Sequence, residues 1–401
     1  MEPIYITGVG MNCSLGWSPE EIHQALLNDP AAGVTDIEVL STRHRGNFPA
    51  GEIKRETADL LADIDNHRSY PINRTTLLAT LALDEAIEQA RHAHRLGGRL
   101  GLVSGTTVGG MDAMEEGYID HVEDRKHPIN FFRLGDCGFH AEYLAERIGG
   151  VNYLSTLSTA CSSSLNAIGN AVNLLRAGYL DVAVAGGADA LCRFTLNGFN
   201  SFMLLDQQRC RPFDASRSGI NLGEGAAYFV LETERSLRRS GNQPLALITG
   251  FGNHNDRFHP SSISPNGAGI RMAMQSAMQQ ASLGSDEVDY VLTHGTATPN
   301  NDASEGAAIH GAFAGVPVPE YISLKSSFGH TLAASGALNT GVGITSMLNG
   351  TKYANYNWSQ AMSELEQGPL TTTQQDQTVN NVIINATGMG GYCSSMVLSK
   401  A

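Results

Sequence analysis

With 401 residues, 42% of them hydrophobic and 16% charged, the chain can bury a large core, either as two domains or as one large α/β unit. Its formal charge of −14 argues against a nucleic-acid surface, because phosphate binding needs clustered cations and only 26 Lys and Arg are spread along the chain. Six cysteines, at 13, 137, 161, 192, 210 and 393, show no Cys-x-x-Cys pair and no Cys/His metal spacing, so neither a disulfide framework nor a metal site is indicated.

In chain order, the first element is a strand at 4–9, entered directly from Met1-Glu2-Pro3 without a basic leader. No apolar run reaches membrane-spanning length, and a reduced cytoplasmic location is expected. Ser18-Pro19-Glu20-Glu21 has the capping-box pattern with proline at the first helical position, which predicts a helix through Leu27. A longer helix is predicted at 75–93 from Leu78, Leu81, Ala82 and Ile87. Strands follow at 99–103, 152–156, 182–185 and 227–231. Residues 232–244 read as a helix and connection between halves, with the boundary at 248/249. The second half carries strands at 245–250, 288–293, 321–324, 382–386 and 395–398, and the polar stretch 367–380 reads as a surface loop. Strands alternating with helices indicate α/β layers.

Three residues carry chemistry. Cys161, in Ser158-Thr159-Ala160-Cys161-Ser162-Ser163-Ser164, lies between a short strand and a helix patterned by Leu165, Ile168, Val172 and Leu175. A thiol at the positive end of a helix is favoured as thiolate, so its pKa is expected to be lowered. His294 follows the strand-like Tyr290-Val291-Leu292, and His330 ends Lys325-Ser326-Ser327-Phe328-Gly329-His330. Both sit at strand ends, where open sheets place their sites.

In these segments the chain resembles the elongating β-ketoacyl-acyl-carrier-protein synthases of the thiolase superfamily. Gly105-Thr106-Thr107-Val108-Gly109-Gly110, Ala185-Gly186-Gly187-Ala188-Asp189, Arg211-Pro212-Phe213-Asp214, Gly223-Glu224-Gly225-Ala226 and Ser264-Pro265-Asn266-Gly267 occur in the order of that family. The resemblance implies a duplicated thiolase-like fold of five layers, αβαβα, with Cys161 in the half at 1–248 and His294, Lys325 and His330 in the half at 249–401. It implies decarboxylative condensation of an acyl group on Cys161 with malonyl-acyl carrier protein, in fatty-acid or specialised polyketide or polyene assembly. Substrates ride on the carrier's phosphopantetheine, with no other cofactor and no metal. The partners implied are the acyl carrier protein and a second subunit, in a homodimer or a heterodimer with a related ketosynthase chain.

Carried over residue by residue, the resemblance makes His294 and His330 the enolate-stabilising pair and Lys325 their electrostatic support, with Glu305 as its partner. The backbone N–H groups of Cys161 and Met389 form the oxyanion hole, and the Met389 side chain is a gate. Val108, Phe132 and Phe199 match the acyl tunnel. Arg68, Arg74 and Arg209, with Arg211, are candidates for docking an acidic carrier. The chain departs from the family pattern at Met389, where phenylalanine is usual, at Cys393, where asparagine is usual, at Asn301, and at Ala334-Ser335-Gly336, which replaces a Gly-Ala-Ala-Gly pattern. A thiolase acting on coenzyme A thioesters is the nearest rival reading. A chain-length-factor-like subunit without catalysis is another, opposed by the retained Cys161. A cysteine hydrolase leaves the second histidine and Lys325 without a role.

Overall fold

The computed structural model describes residues 2–64, 71–90, 98–123 and 131–401. In chain order the elements are β1 (Ile4–Cys13), α1 (Pro19–Asn28), α2 (Thr57–Asp63), α3 (Arg74–Gln89), β2 (Leu100–Gly105), α4 (Met111–Val122), α5 (Phe131–Leu134), α6 (Phe139–Ile148), β3 (Val151–Leu157), α7 (Ser163–Arg176), β4 (Val182–Asp189), α8 (Arg193–Ser201), β5 (Gly225–Glu232) and α9 (Glu234–Ser240). The second half continues with β6 (Ala246–Asn255), α10 (Ala268–Ala281), β7 (Tyr290–Leu292), α11 (Pro299–Ala312), β8 (Glu320–Ile322), α12 (Lys325–Phe328), α13 (Ser335–Asn349), β9 (Asn381–Gly388) and β10 (Tyr392–Ser399). Each predicted strand overlaps one of these strands.

The strand order β3-β2-β4-β5-β1-β6-β10-β9-β7-β8 is the same five-strand arrangement twice, run in opposite directions from the centre. Pairing repeats as well. The outer three strands of each half are parallel (β3, β2, β4 and β8, β7, β9), and the next two are antiparallel. The halves meet in a short antiparallel ladder in which Ile4, Tyr5 and Ile6 face Ile248, Leu247 and Ala246.

Helices α7 and α13 form the middle layer. Helix α7 packs on β2 and β4 of its own half and reaches β10, while α13 packs on β9 and on β5. Thirteen consecutive residues of α13, Ser335 to Met347, are buried, as expected for a helix covered on every side. Helix α3 covers the outside of β1 and β5, and α10 covers β6 and β10. Strands β4 and β5 are buried along their whole length because helices cover both faces, which explains their unbroken apolar runs.

Local chemistry sets the helix ends. Ser18 caps α1 by accepting the Glu21 N–H, but the Glu21 carboxylate takes the Trp17 N–H instead of closing a capping box on Ser18. Helix α3 begins at Arg74, capped by Asn73, and ends at Gln89 with Ala90 as its C-cap; positions 91–93 of the predicted helix lie outside the described residues. Residues 367–380 contain neither helix nor strand.

Candidate active site

The elbow that carries Cys161 is built by the five residues between β3 and α7. Ala160 adopts φ 51, a left-handed conformation rare outside glycine, which lets the chain reverse sharply into the helix. Its carbonyl is held by the Thr107 hydroxyl at 3.1 Å and the Ser163 hydroxyl at 2.6 Å, and Thr159 N–H donates to Ser163 Oγ at 2.9 Å. These bonds stabilise the strained turn and fix the thiol at the mouth of α7, only 7% exposed. Contrary to the expectation from helix position, burial pushes the Cys161 thiol up to about 12; the Lys325 ammonium works against that rise and the Asp189 carboxylate adds to it. The free thiol is therefore protonated at neutral pH.

His294 and His330 come from the other half. Their ring centroids lie 5.1 Å apart at 84°, and the reactive atoms of Cys161, His294 and His330 all fall within 4.8 Å of one another. Burial, reinforced by the Lys325 charge, holds both imidazoles well below their usual pKa, so both are neutral donors and acceptors. His330 Nδ1 lies 2.9 Å from Ser335 Oγ.

Glu305 and Lys325 do not form the expected ion pair. Glu305 accepts the N–H groups of His294 at 2.8 Å and Gly295 at 2.7 Å, while Lys325 Nζ donates to the His294 carbonyl. The two charges thus clamp one peptide segment from opposite sides. Burial lowers the ammonium of Lys325 to about 8, with Glu305 opposing that shift, and burial raises the Glu305 carboxyl.

The turn after β9 presses on the elbow. A Cβ at Gly388 would sit 2.7 Å from the Thr159 carbonyl oxygen and 3.3 Å from Cys161 N, so only glycine permits this approach. It brings the backbone at Met389 beside Cys161. The Met389 side chain, 37% exposed, lines a cavity of about 470 Å³ together with Cys161, His294, His330, Phe199, Ile220 and Thr296.

The other predicted residues divide between this cavity and the rest of the molecule. Val108 is buried in an apolar cluster with Leu222 and Leu332 and does not line this cavity. Phe199 lines it, and the Phe132 side chain lies outside the described residues. Arg74 is buried and paired with Glu224 at 2.7 Å, donating also to the carbonyls of Ile53 and Arg55, which removes it from any docking surface. Arg209 donates to the carbonyls of Ala31 and Val34, both at 2.7 Å, and stacks on Tyr356 at 5.3 Å, so it braces a loop. Arg68 lies outside the described residues.

Sequence reasoning gave Asp189 no role beyond its motif. Its carboxylate accepts the Thr106 hydroxyl at 2.6 Å, the Thr107 and Val108 N–H groups, and the Ala333 N–H at 2.8 Å, tying the loop against the elbow to the turn after His330. An acidic residue closing the apolar run Val182-Ala183-Val184-Ala185-Gly186-Gly187-Ala188 was the available signal.

A neutral histidine pair facing a buried thiol can pass a proton and offer N–H donors to a developing oxyanion. Against known proteins, the model of the β-ketoacyl synthase N-terminal domain matches residues 1–236, and that of the C-terminal domain matches residues 245–358. A putative polyketide β-ketoacyl synthase 1 of Streptomyces virginiae is 33% identical over 79% of this chain and 78% of its own. A putative mitochondrial 3-oxoacyl-[acyl-carrier-protein] synthase of Schizosaccharomyces pombe is 27% identical over 100% of this chain and 99% of its own. Among solved structures, the ishigamide ketosynthase/chain length factor superposes with a TM-score of 0.92 at 26% identity, covering 100% of this chain and 99% of that one. The duplicated sheet, the matched length and the Cys-His-His cluster agree, and the chain belongs to the β-ketoacyl synthase family.

Proposed function

We propose that the protein joins an acyl group to a malonyl unit by decarboxylative Claisen condensation on acyl carrier protein substrates. The observation that carries this reading is the convergence of Cys161 from one half with two neutral histidines from the other in a single cavity. In the first step the Cys161 sulfur attacks the carrier thioester, the bond to the phosphopantetheine sulfur breaks, and the thiol proton passes to that leaving sulfur. In the second, the malonyl carboxylate leaves as carbon dioxide, and the electron pair becomes an enolate whose oxygen accepts from His294 and His330. The enolate carbon attacks the acyl carbonyl on Cys161, and the tetrahedral oxyanion is held by the N–H groups of Cys161 and Met389. Collapse releases the β-ketoacyl carrier and the Cys161 thiolate, which takes a proton from water to return to the resting thiol.

Lys325 supports the pair by gripping the His294 carbonyl and by its charge, which disfavours imidazolium. Phosphopantetheine on the carrier is the one prosthetic group in this reading. A second subunit, identical or a related ketosynthase chain, completes the assembly, and the location is cytoplasmic; no helix among the described residues is long and apolar enough to cross a membrane. The chain divides into a nucleophile half and a histidine half; the boundary expected at 248/249 falls inside β6, and because β6 takes the place in its half that β1 takes in the other, the division is drawn before Ala246. Specialised polyketide or polyene assembly is favoured over housekeeping fatty-acid synthesis by the methionine at 389 and the polyketide-type relative. Retention of Cys161, His294 and His330 together speaks against a non-catalytic chain-length-factor role.

Intact-mass measurement with a panel of acyl carriers plus malonyl carrier tests the reading. The expected result is acyl mass on Cys161, absent in Cys161→Ala, followed by a β-ketoacyl carrier product. Acylation that persists in Cys161→Ala, or exchange with coenzyme A thioesters alone, rejects it.

A further inference from the structure

Four residues separate His330 from α13, and their path is tightly held. Leu332 adopts φ 49, residues Leu332–Ala334 form a 3-10 turn, Ala333 N–H is fixed by Asp189 at 2.8 Å, and Ala337 N–H donates to Ser164 Oγ at 2.9 Å. The turn folds Ser335, the first residue of α13, back over the His330 ring. Its Oγ lies 2.9 Å from Nδ1 and 3.2 Å from Thr331 Oγ1. All three side chains are buried, so bulk water does not compete for these bonds. With Nδ1 occupied, Nε2 is the His330 nitrogen available to the substrate.

A neutral imidazole carries one proton, and the bond made by one nitrogen decides whether the other is a donor. Each hydroxyl has one proton to give. When Thr331 donates to Ser335 and Ser335 donates to Nδ1, both protons are used and the ring proton sits on Nε2. Ser335 stands in the segment where this chain departs from its family's glycine- and alanine-rich pattern, so the hydroxyl is a feature of this sequence.

We propose that Ser335 is a positioning residue that, with Thr331 behind it, holds His330 in the Nε2–H tautomer and aims that proton at the malonyl carbonyl oxygen. This rests on the decarboxylative reading given above. The test is nitrogen-15 NMR of the full-length protein labelled at histidine, with His330 identified by its loss in His330→Asn. The wild type should show Nε2–H at His330, and Ser335→Ala should shift the ring toward mixed tautomers. Malonyl decarboxylation in that variant should fall about tenfold, as for loss of one oriented hydrogen bond, with KM for malonyl carrier and the rate of Cys161 acylation changed by less than about twofold. Ser335→Thr, which keeps the hydroxyl, should restore both tautomer and rate.

An Nδ1–H tautomer in the wild type overturns the proposal, as does an unchanged His330 spectrum in Ser335→Ala. The wild-type spectrum decides the matter even if the alanine variant does not fold. It also reads the tautomer independently of turnover, so a protein that holds Nε2–H yet condenses nothing disproves the functional reading and leaves the hydroxyl relay standing.

Discussion

Cys161 owes its resting state to burial rather than to its helix. The macrodipole and the Lys325 charge together do not offset removal of the thiol from water, and its pKa of about 12 leaves little thiolate at neutral pH. Alkylation of the free enzyme by iodoacetamide should therefore climb by about tenfold per pH unit through the neutral range. The slope should ease above about 8, where Lys325 gives up its proton and its help to the thiolate is lost. A plateau in the alkylation rate near neutrality would show a low-pKa thiol instead. At the same scale, Met389 places a flexible thioether at the cavity wall, and the proposed gate role rests on the low cost at which such a side chain changes shape around long or unsaturated chains. Met389→Phe should narrow the range of acyl carriers accepted while leaving malonyl decarboxylation nearly unchanged, since the backbone N–H remains. An unaltered acyl profile in a mass-spectrometric panel removes the gate role.

Between elements, charge is spent on holding loops. Arg74 at the start of α3 reaches Glu224 just before β5, and both are buried. Arg74→Ala strands the Glu224 carboxylate and should lower unfolding free energy by about 3–5 kcal/mol, read from urea denaturation, with KM for the carrier unaffected. A raised KM at unchanged stability would return Arg74 to the docking surface. Why sequence misplaced this residue is physical: an arginine that caps nothing and repeats with nothing looks solvated until its carboxylate partner, 150 residues away, is brought to it. Strands and the Cys161 elbow were legible because their signals are local, a period of two or an apolar run followed by a helical one. Glu305 and Lys325 were expected to pair with each other; their separate grips on the His294 peptide depend on backbone groups that no side-chain pattern reports.

Across the whole molecule, the sheet ends at β3 with one edge unpaired among the described residues. Tyr153 and Leu154, 37% and 42% exposed, stand on its opposite faces. An apolar open edge invites another strand, and a partner subunit is the occupant expected for this family. Placing charges there, as in Tyr153→Lys with Leu154→Asp, should convert the dimer to monomer in sedimentation velocity. A dimer that survives both changes would place the interface on another face.

The three-residue ladder between β1 and β6 joins two halves that hold complementary parts of the chemistry. During synthesis the thiol-bearing half leaves the ribosome first, without the histidine pair or an oxyanion donor from its counterpart. An incompletely made chain thus lacks both histidines and half of the oxyanion hole, and it cannot condense until the last strands have docked. Turnover in this protein doubles as a certificate that folding is finished.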